Sequence, residues 1–168
     1  MDLLVDAWGH ASWAARPLRA ALGRGGVATE KREGDHKTPA GSFAMRQVLY
    51  RPDRFAQPAS RLPIRALSPT DGWCDAPDDP RYNQLVMLPY AASHESLWRS
   101  DEIYDLIVPL GYNDDPAVPG RGSAIFLHVA RPDWSGTEGC VALARADLLM
   151  VIAEADPTSR VVVRAASG

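Results

Sequence analysis

The 168 residues contain only two cysteines, Cys74 and Cys140, too few for the disulfide framework of a small secreted fold. Neither belongs to a Cys-x-x-Cys pair and no His-x-x-x-His pair occurs, so structural zinc has no ligand pattern and a zinc hydrolase no ligand cluster. The longest uninterrupted apolar run, Leu148 to Ala153, is far below the roughly 20 residues that span a bilayer. Excess charge is lacking too. Eighteen Lys and Arg, dispersed along the chain, stand against 21 Asp and Glu, for a net charge of −3. That balance builds no field to recruit nucleic acid or an anionic membrane. Met1-Asp2-Leu3-Leu4-Val5-Asp6 has acid where a secretory signal carries base, which leads us to expect a cytoplasmic protein in a reducing compartment, or a periplasmic one if translation starts upstream. Internal repeats and low-complexity linkers are also lacking, and the length suits one domain over residues 1–168.

Fourteen prolines and thirteen glycines, in contrast, punctuate short β-rich stretches and disfavour long helices. Strands are predicted at Leu3 to Trp8, Ser42 to Tyr50, Leu85 to Leu88, Tyr104 to Leu110, Ser123 to Ala130 and Arg160 to Val163. One helix is predicted from Ala144 to Ala155. Leu148, Val151, Ile152 and Ala155 share its face, Asp147 sits near its positive end, and Asp156-Pro157 stops it. A weaker helix or turn is predicted from Ser93 to Arg99. Gly23-Arg24-Gly25-Gly26 lacks the Gly-Lys-Ser/Thr of a phosphate loop and reads as a hairpin turn.

His128 ends a strand-like run, and Cys140 follows twelve positions later behind Ser135-Gly136-Thr137-Glu138-Gly139. Free cysteine is a weak nucleophile that needs a base or a positive field to hold it as thiolate. His128 is the candidate base, and Gly139 lets the chain turn sharply with backbone N–H groups free for an oxyanion. Alternation puts Ala124, Phe126, His128 and Ala130 on one face of the strand and Ile125, Leu127 and Val129 on the other. Cys74, between Trp73 and Asp75 with neither glycine nor histidine beside it, reads as a packed thiol. His10 and His36 read as solvated turn residues, while His94, beside Glu95, suits a pocket wall or a surface turn equally.

The stretch Thr137-Glu138-Gly139-Cys140, with His128 ahead of it, resembles the signature of the L,D-transpeptidase catalytic domain (YkuD-like). A second match lies upstream, where Gly34-Asp35-His36-Lys37-Thr38-Pro39-Ala40-Gly41-Ser42-Phe43 is similar to the family's Gly-x-x-x-Thr-Pro-x-Gly-x-Phe. Glu138 departs from the family by replacing a second histidine, and Val141-Ala142-Leu143 lacks the arginine many relatives carry. Trp73, Tyr82, Asn83, Glu95, Arg99 and Tyr104 echo a less familiar branch, so the resemblance covers nearly the whole chain.

The resemblance implies a mainly β fold, a twisted β-sandwich with one principal helix. It implies Cys140 as nucleophile, His128 as base, and N–H groups of Gly139 and Cys140 at the oxyanion; the sequence does not name the group that orients His128, a place a backbone carbonyl would fill. Thr137, Glu138, Arg99, Trp73, Tyr82 and Asn83 become candidates for binding substrate. Three roles stay open for Glu138: orienting His128, meeting a substrate amine, or turning the chain. The implied partners are peptidoglycan stem peptides or muropeptides, with no cofactor and no metal. L,D-carboxypeptidase action on recycled wall fragments is the expected activity, with L,D-transpeptidation or an idle wall-peptide-binding module as alternatives.

Overall fold

Short strands dominate the computed structural model, which describes residues 1–167. In chain order they are β1 (Leu3–Val5), β2 (His10–Trp13), β3 (Arg16–Ala21), β4 (Val27–Ala28), β5 (Thr38–Pro39), β6 (Gly41–Ala44), β7 (Val48–Tyr50) and β8 (Ile64–Ala66), then β9 (Asp71–Cys74), β10 (Leu85–Met87), β11 (His94–Ser96), β12 (Leu106–Pro109), β13 (Phe126–Val129) and β14 (Val141–Leu143). The helix α1 (Arg145–Glu154) and the strand β15 (Arg160–Val163) complete the chain. Ten strands form one sheet in the order β6-β15-β1-β2-β3-β14-β13-β12-β7-β8. This sheet curls over. Beyond the edge strand β6, Met45 bridges Leu110, and Arg46 N–H donates to the Pro109 carbonyl at 3.0 Å. The two layers of the expected sandwich are thus two ends of one bent sheet.

The hollow of the bend holds the larger core. Leu3, Val5 and Val161 from one end meet Val48, Val108 and Leu127 from the other, and Leu148, Val151 and Ile152 of α1 join them. These three helix residues lie on one face, as their spacing requires, and Asp147 sits in the first turn. The outer face of β7, β12 and β13 carries a smaller core of Leu49, Ile107, Phe126, Tyr104 and Cys140. A three-stranded sheet in the order β10-β9-β11 covers it, contributing Trp73 and Leu97. The functional chemistry lies between these two sheets.

Several expected strands are shorter in the structure, for local reasons. Leu3 to Trp8 ends at Val5 because the Asp6 carboxylate accepts the N–H groups of Trp8 and His10, both at 2.9 Å, and turns the chain. Ser42 to Tyr50 divides into β6 and β7 at the Met45–Arg46 crossing. Ser93 to Arg99 is no helix. His94 and Ser96 are exposed while Glu95 and Leu97 turn inward, a period of two, and β11 pairs antiparallel with β9. Gly23 to Gly26 does turn, but joins no hairpin: Gly23 bridges Thr137, and β4 pairs in parallel with β5. A Cβ on Gly23 would lie 2.4 Å from the His36 carbonyl oxygen, so only glycine fits there.

Asp105, 1% exposed, ties the segment before β12 to the rest through Arg54 and Arg145. Asp105→Ala leaves both guanidinium groups without their shared acceptor. Because the two arginines are partly solvated, the expected loss is about 2 kcal/mol, below that for a wholly buried pair. Asp114→Ala, which breaks a pair with the half-exposed Arg46, is expected to cost less than about 1 kcal/mol. Urea unfolding checks the contrast, and equal losses would refute it.

Candidate active site

Strand β14 pairs in parallel with β13, with Leu127 opposite Val141 and His128 opposite Ala142. One step back along both strands, Cys140 lies level with Phe126. Side chains alternate, so Phe126, His128, Cys140 and Ala142 share the outer face and His128 stands diagonally from Cys140 on the neighbouring strand. Ile125, Leu127 and Val129 point into the larger core, as the alternation predicts. Both reactive side chains are 5% exposed and line a cleft of about 500 Å³ with Arg24, Glu95, Arg99, Tyr104, Arg131, Thr137 and Glu138. Hollows of about 680 and 630 Å³ elsewhere contain neither residue, so size does not mark the site.

The imidazole is held in one tautomer. Nδ1 lies 2.9 Å from the Val129 carbonyl oxygen, which only accepts, so in the neutral ring Nδ1 carries the proton and Nε2 the lone pair. The orienting group is therefore a backbone carbonyl. Tyr104 packs edge-on against the ring with centroids 5.4 Å apart. Burial pushes His128 down to about 4.

The Cys140 thiol donates to the Ala124 carbonyl at 3.2 Å, and its sulfur accepts the Phe126 N–H at 3.3 Å. Burial pushes the thiol up to about 12, against the smaller opposing effect of the Phe126 N–H. Burial thus favours the neutral forms of both thiol and imidazole. Ala124 is bent into the left-handed region, φ 53°, where alanine is uncommon. Asn83 fastens it there: its Oδ1 accepts the Ala124 N–H at 3.0 Å and the Trp73 indole N–H at 2.9 Å, while its Nδ2 donates to the Tyr112 and Asn113 carbonyls.

These bonds correct three expectations. Trp73, Tyr82 and Asn83 do not line the cleft; they build its floor. Trp73 stacks edge-on against Phe126 at 5.0 Å. The Tyr82 hydroxyl donates to Glu33 at 2.9 Å and accepts the Gly122 N–H at 3.0 Å. With their polar atoms satisfied internally, none of the three presents a free group to substrate. Arg99 and Thr137 do line the cleft. Arg99 is braced by Asp101 at 2.7 and 2.8 Å. Thr137 Oγ1 donates to the Cys140 carbonyl at 2.7 Å and accepts the Gly139 N–H at 3.1 Å. The Gly139 N–H is thereby engaged, which leaves Cys140 as the oxyanion donor of the expected pair. Gly139 has φ 139°, and a Cβ there would sit 2.8 Å from the Lys37 carbonyl oxygen.

Glu138 turns away from His128. Its exposed carboxylate binds Arg24 at 2.9 Å and His36 Nδ1 at 2.6 Å. It pins the nucleophile turn to the glycine-rich turn, and His36, expected in solvent, is part of that clasp. His10 is exposed beside Asp6, and His94 is exposed with Nδ1 on the Ala92 carbonyl. Cys74 is wholly buried and raised by that burial, a packed thiol. Sequence reasoning missed Ala124, Arg131 and Lys31. Lys31, 8% exposed, binds Asp35 at 2.8 Å, and its Nζ lies 3.4 Å from where a Cβ on Gly139 would be. No sequence pattern marks Ala124, since its positive φ is imposed by Asn83 from 41 positions away. No group of three or more potential metal ligands occurs among the described residues.

A family model described as the L,D-transpeptidase catalytic domain (YkuD) matches residues 8–163. No curated protein and no solved structure matches the chain.

A neutral resting pair has a measurable consequence. Alkylation of Cys140 by iodoacetamide in the free enzyme is expected to be slow at neutral pH and to rise about tenfold per pH unit up to about pH 10, because thiolate forms only as pH approaches about 12. A plateau near neutrality would reveal a preformed thiolate–imidazolium pair and overturn this assignment.

Proposed function

The chain belongs to the L,D-transpeptidase catalytic-domain family, a family of cysteine-dependent enzymes that act on peptidoglycan peptides, and on that premise we propose that Cys140 forms a thioester with the L-centred residue of a stem peptide and expels D-alanine. The observation that carries this reading is the placement of Cys140 and His128 on adjacent strands, facing one cleft. The thiol swings from the Ala124 carbonyl toward His128 Nε2 and loses its proton as sulfur attacks the carbonyl carbon. Because thiol and imidazole both favour their neutral forms, proton transfer runs together with bond formation instead of preceding it. The Cys140 N–H meets the oxyanion, a contribution of about 3 kcal/mol for such a donor. The imidazolium then returns the proton to the departing amine of D-alanine. Arg131, held only loosely by Asp101 at 3.7 Å, places positive charge in the cleft for the terminal carboxylate, where Val141-Ala142-Leu143 supplies none just after the cysteine.

Water as the final acyl acceptor gives an L,D-carboxypeptidase, the activity the sequence leads us to expect. A specific feature favours an amine instead. Cys140 also lines a second cavity, of about 190 Å³, where the carboxylates of Glu33, Asp75, Glu95 and Glu138 outnumber Lys31, itself bound to Asp35, and His36, itself bound to Glu138. An acidic chamber opening on the acylated sulfur suits a cationic amine better than water. We therefore assign aminolysis, as in cross-linking or exchange, as the main fate of the thioester, with hydrolysis competing.

Incubation with a meso-diaminopimelate stem tetrapeptide and mass spectrometry test both steps. Acylation is expected on Cys140, with release of D-alanine. Cys140→Ser should lose turnover, because a serine hydroxyl is far less acidic, while Cys74→Ser keeps most of it. Equal loss in both would show that the nucleophile is misassigned. Dimers outrunning tripeptide support the amine; tripeptide outrunning dimers restores the carboxypeptidase. His128→Gln, which keeps most of the buried volume and a donor for the Val129 carbonyl, should lower kcat by about a hundredfold or more with far less effect on binding, whereas near wild-type kcat would remove His128 from the proton transfer.

A further inference from the structure

Two carboxylates of the small sheet meet beside Cys140, and neither is paired with a side-chain cation. Trp73 lies opposite Glu95, and the Asp75 N–H donates to the Ser93 carbonyl at 3.1 Å, so Trp73, Asp75 and Glu95 share the face turned toward the main sheet. Glu95 Oε1 accepts the Tyr104 hydroxyl at 2.9 Å, and Oε2 has no partner among the described residues. Asp75 Oδ1 is fully buried and also lacks any hydrogen-bond partner among them. A buried carboxylate oxygen is seldom left unmade as Asp75 Oδ1 is, because desolvation is costly without a donor. The nearby cations are committed elsewhere: Lys31 to Asp35, Arg99 to Asp101, and Arg24 with His36 to Glu138. Glu33 already receives the hydroxyls of Tyr82 and Ser123. Both carboxylates line the smaller cavity, which Cys140 also lines.

We propose that this pair is the acceptor site: Asp75 Oδ1 holds the ammonium group of an incoming primary amine, and Glu95 Oε2 takes its proton so that the neutral amine attacks the Cys140 thioester. The inference rests on the acyl-transfer reading and adds the residues that select the acceptor. Of the two protons the ammonium must lose to become an amide N–H, the first passes to Glu95. The C–N bond then forms and the C–S bond breaks. The second proton passes through His128 to the departing thiolate, restoring the thiol, and Glu95 releases its own to solvent. Burial, together with the negative charges of Asp75 and Glu33, pushes Glu95 up to about 7, against the opposing effects of the Tyr104 hydroxyl and Arg99. A base in that range is matched to deprotonating an amine near neutrality. Glu95 also lines the larger cleft, and Tyr104 connects it to His128.

The test measures three rates in one enzyme: acylation by stem tetrapeptide, hydrolysis of the thioester, and amide formation with stem tripeptide as the amine. Glu95→Gln keeps an acceptor for Tyr104 and removes the base. Amide formation is expected to fall at least about tenfold while acylation falls less than about threefold, shifting the product ratio toward hydrolysis. The wild-type limb of amide formation that rises through about 7 should disappear in the variant. Asp75→Asn should raise the KM for the tripeptide roughly tenfold with kcat within about twofold. Equal losses of acylation and amide formation in Glu95→Gln would make Glu95 a support for Tyr104 and His128, and an unchanged product ratio would remove it from the reaction. Wild-type enzyme that acylates and only hydrolyses overturns the acceptor site alone; failure to detect the acyl-enzyme overturns the acyl-transfer reading beneath it.

Discussion

The parallel pairing of β13 with β14 sets Cys140 level with Phe126 and one step short of His128, and the rest of the cleft depends on that register. A slip of one residue in β14 would turn Cys140 toward the larger core and bring Val141 to the cleft, since side chains alternate faces. Packing on both sides opposes such a slip. Val141 and Leu143 are wholly buried among aliphatic side chains inside the bend, while Cys140 belongs to the smaller core with Phe126, Trp73 and Tyr104. Cys140 is thus positioned by burial, and the same burial pushes its thiol up, toward the neutral form.

Around that pairing, backbone geometry is held by side chains from distant segments. Asn83 bends Ala124 so that its carbonyl holds the thiol, and Trp73 braces Asn83 from behind. Thr137 stitches the turn from within, and Glu138 clasps Arg24 and His36 from without. Cys140 stands at the junction of two cavities. The larger carries the guanidinium groups of Arg24, Arg99 and Arg131, the smaller adds Glu33 and Asp75 with Lys31 and His36, and Glu95 and Glu138 border both.

The main-chain pattern was legible where period and burial agree. The strand through His128 presents the two faces that its alternation predicts, and the helix presents Leu148, Val151 and Ile152 to the core. The Ser93 to Arg99 segment was misread because its inward residues, Glu95 and Leu97, flank a serine and follow an exposed histidine, a weak alternation that becomes a strand only by pairing with β9. Trp73, Tyr82 and Asn83, expected at the substrate, instead brace the floor beneath the cleft. Aromatic and amide groups suit a pocket wall and a buried bracket equally, and only their hydrogen bonds distinguish the two.

By itself the sequence determined the family and the mainly β class and singled out Cys140 and His128 as candidates, because these are written in residue types at short spacings around Thr137-Glu138-Gly139-Cys140 and Thr38-Pro39-Ala40-Gly41. Tertiary structure alone decided which carbonyl orients His128, that Glu138 is held by Arg24 and His36, that the Gly139 N–H is already engaged, and that Asp75 and Glu95 meet beside the sulfur. Each of these depends on contacts between segments remote in the chain or on a local φ imposed from a distance. Their energies are set by burial and by the direction of individual hydrogen bonds, and neither quantity exists until the sheets have closed on one another.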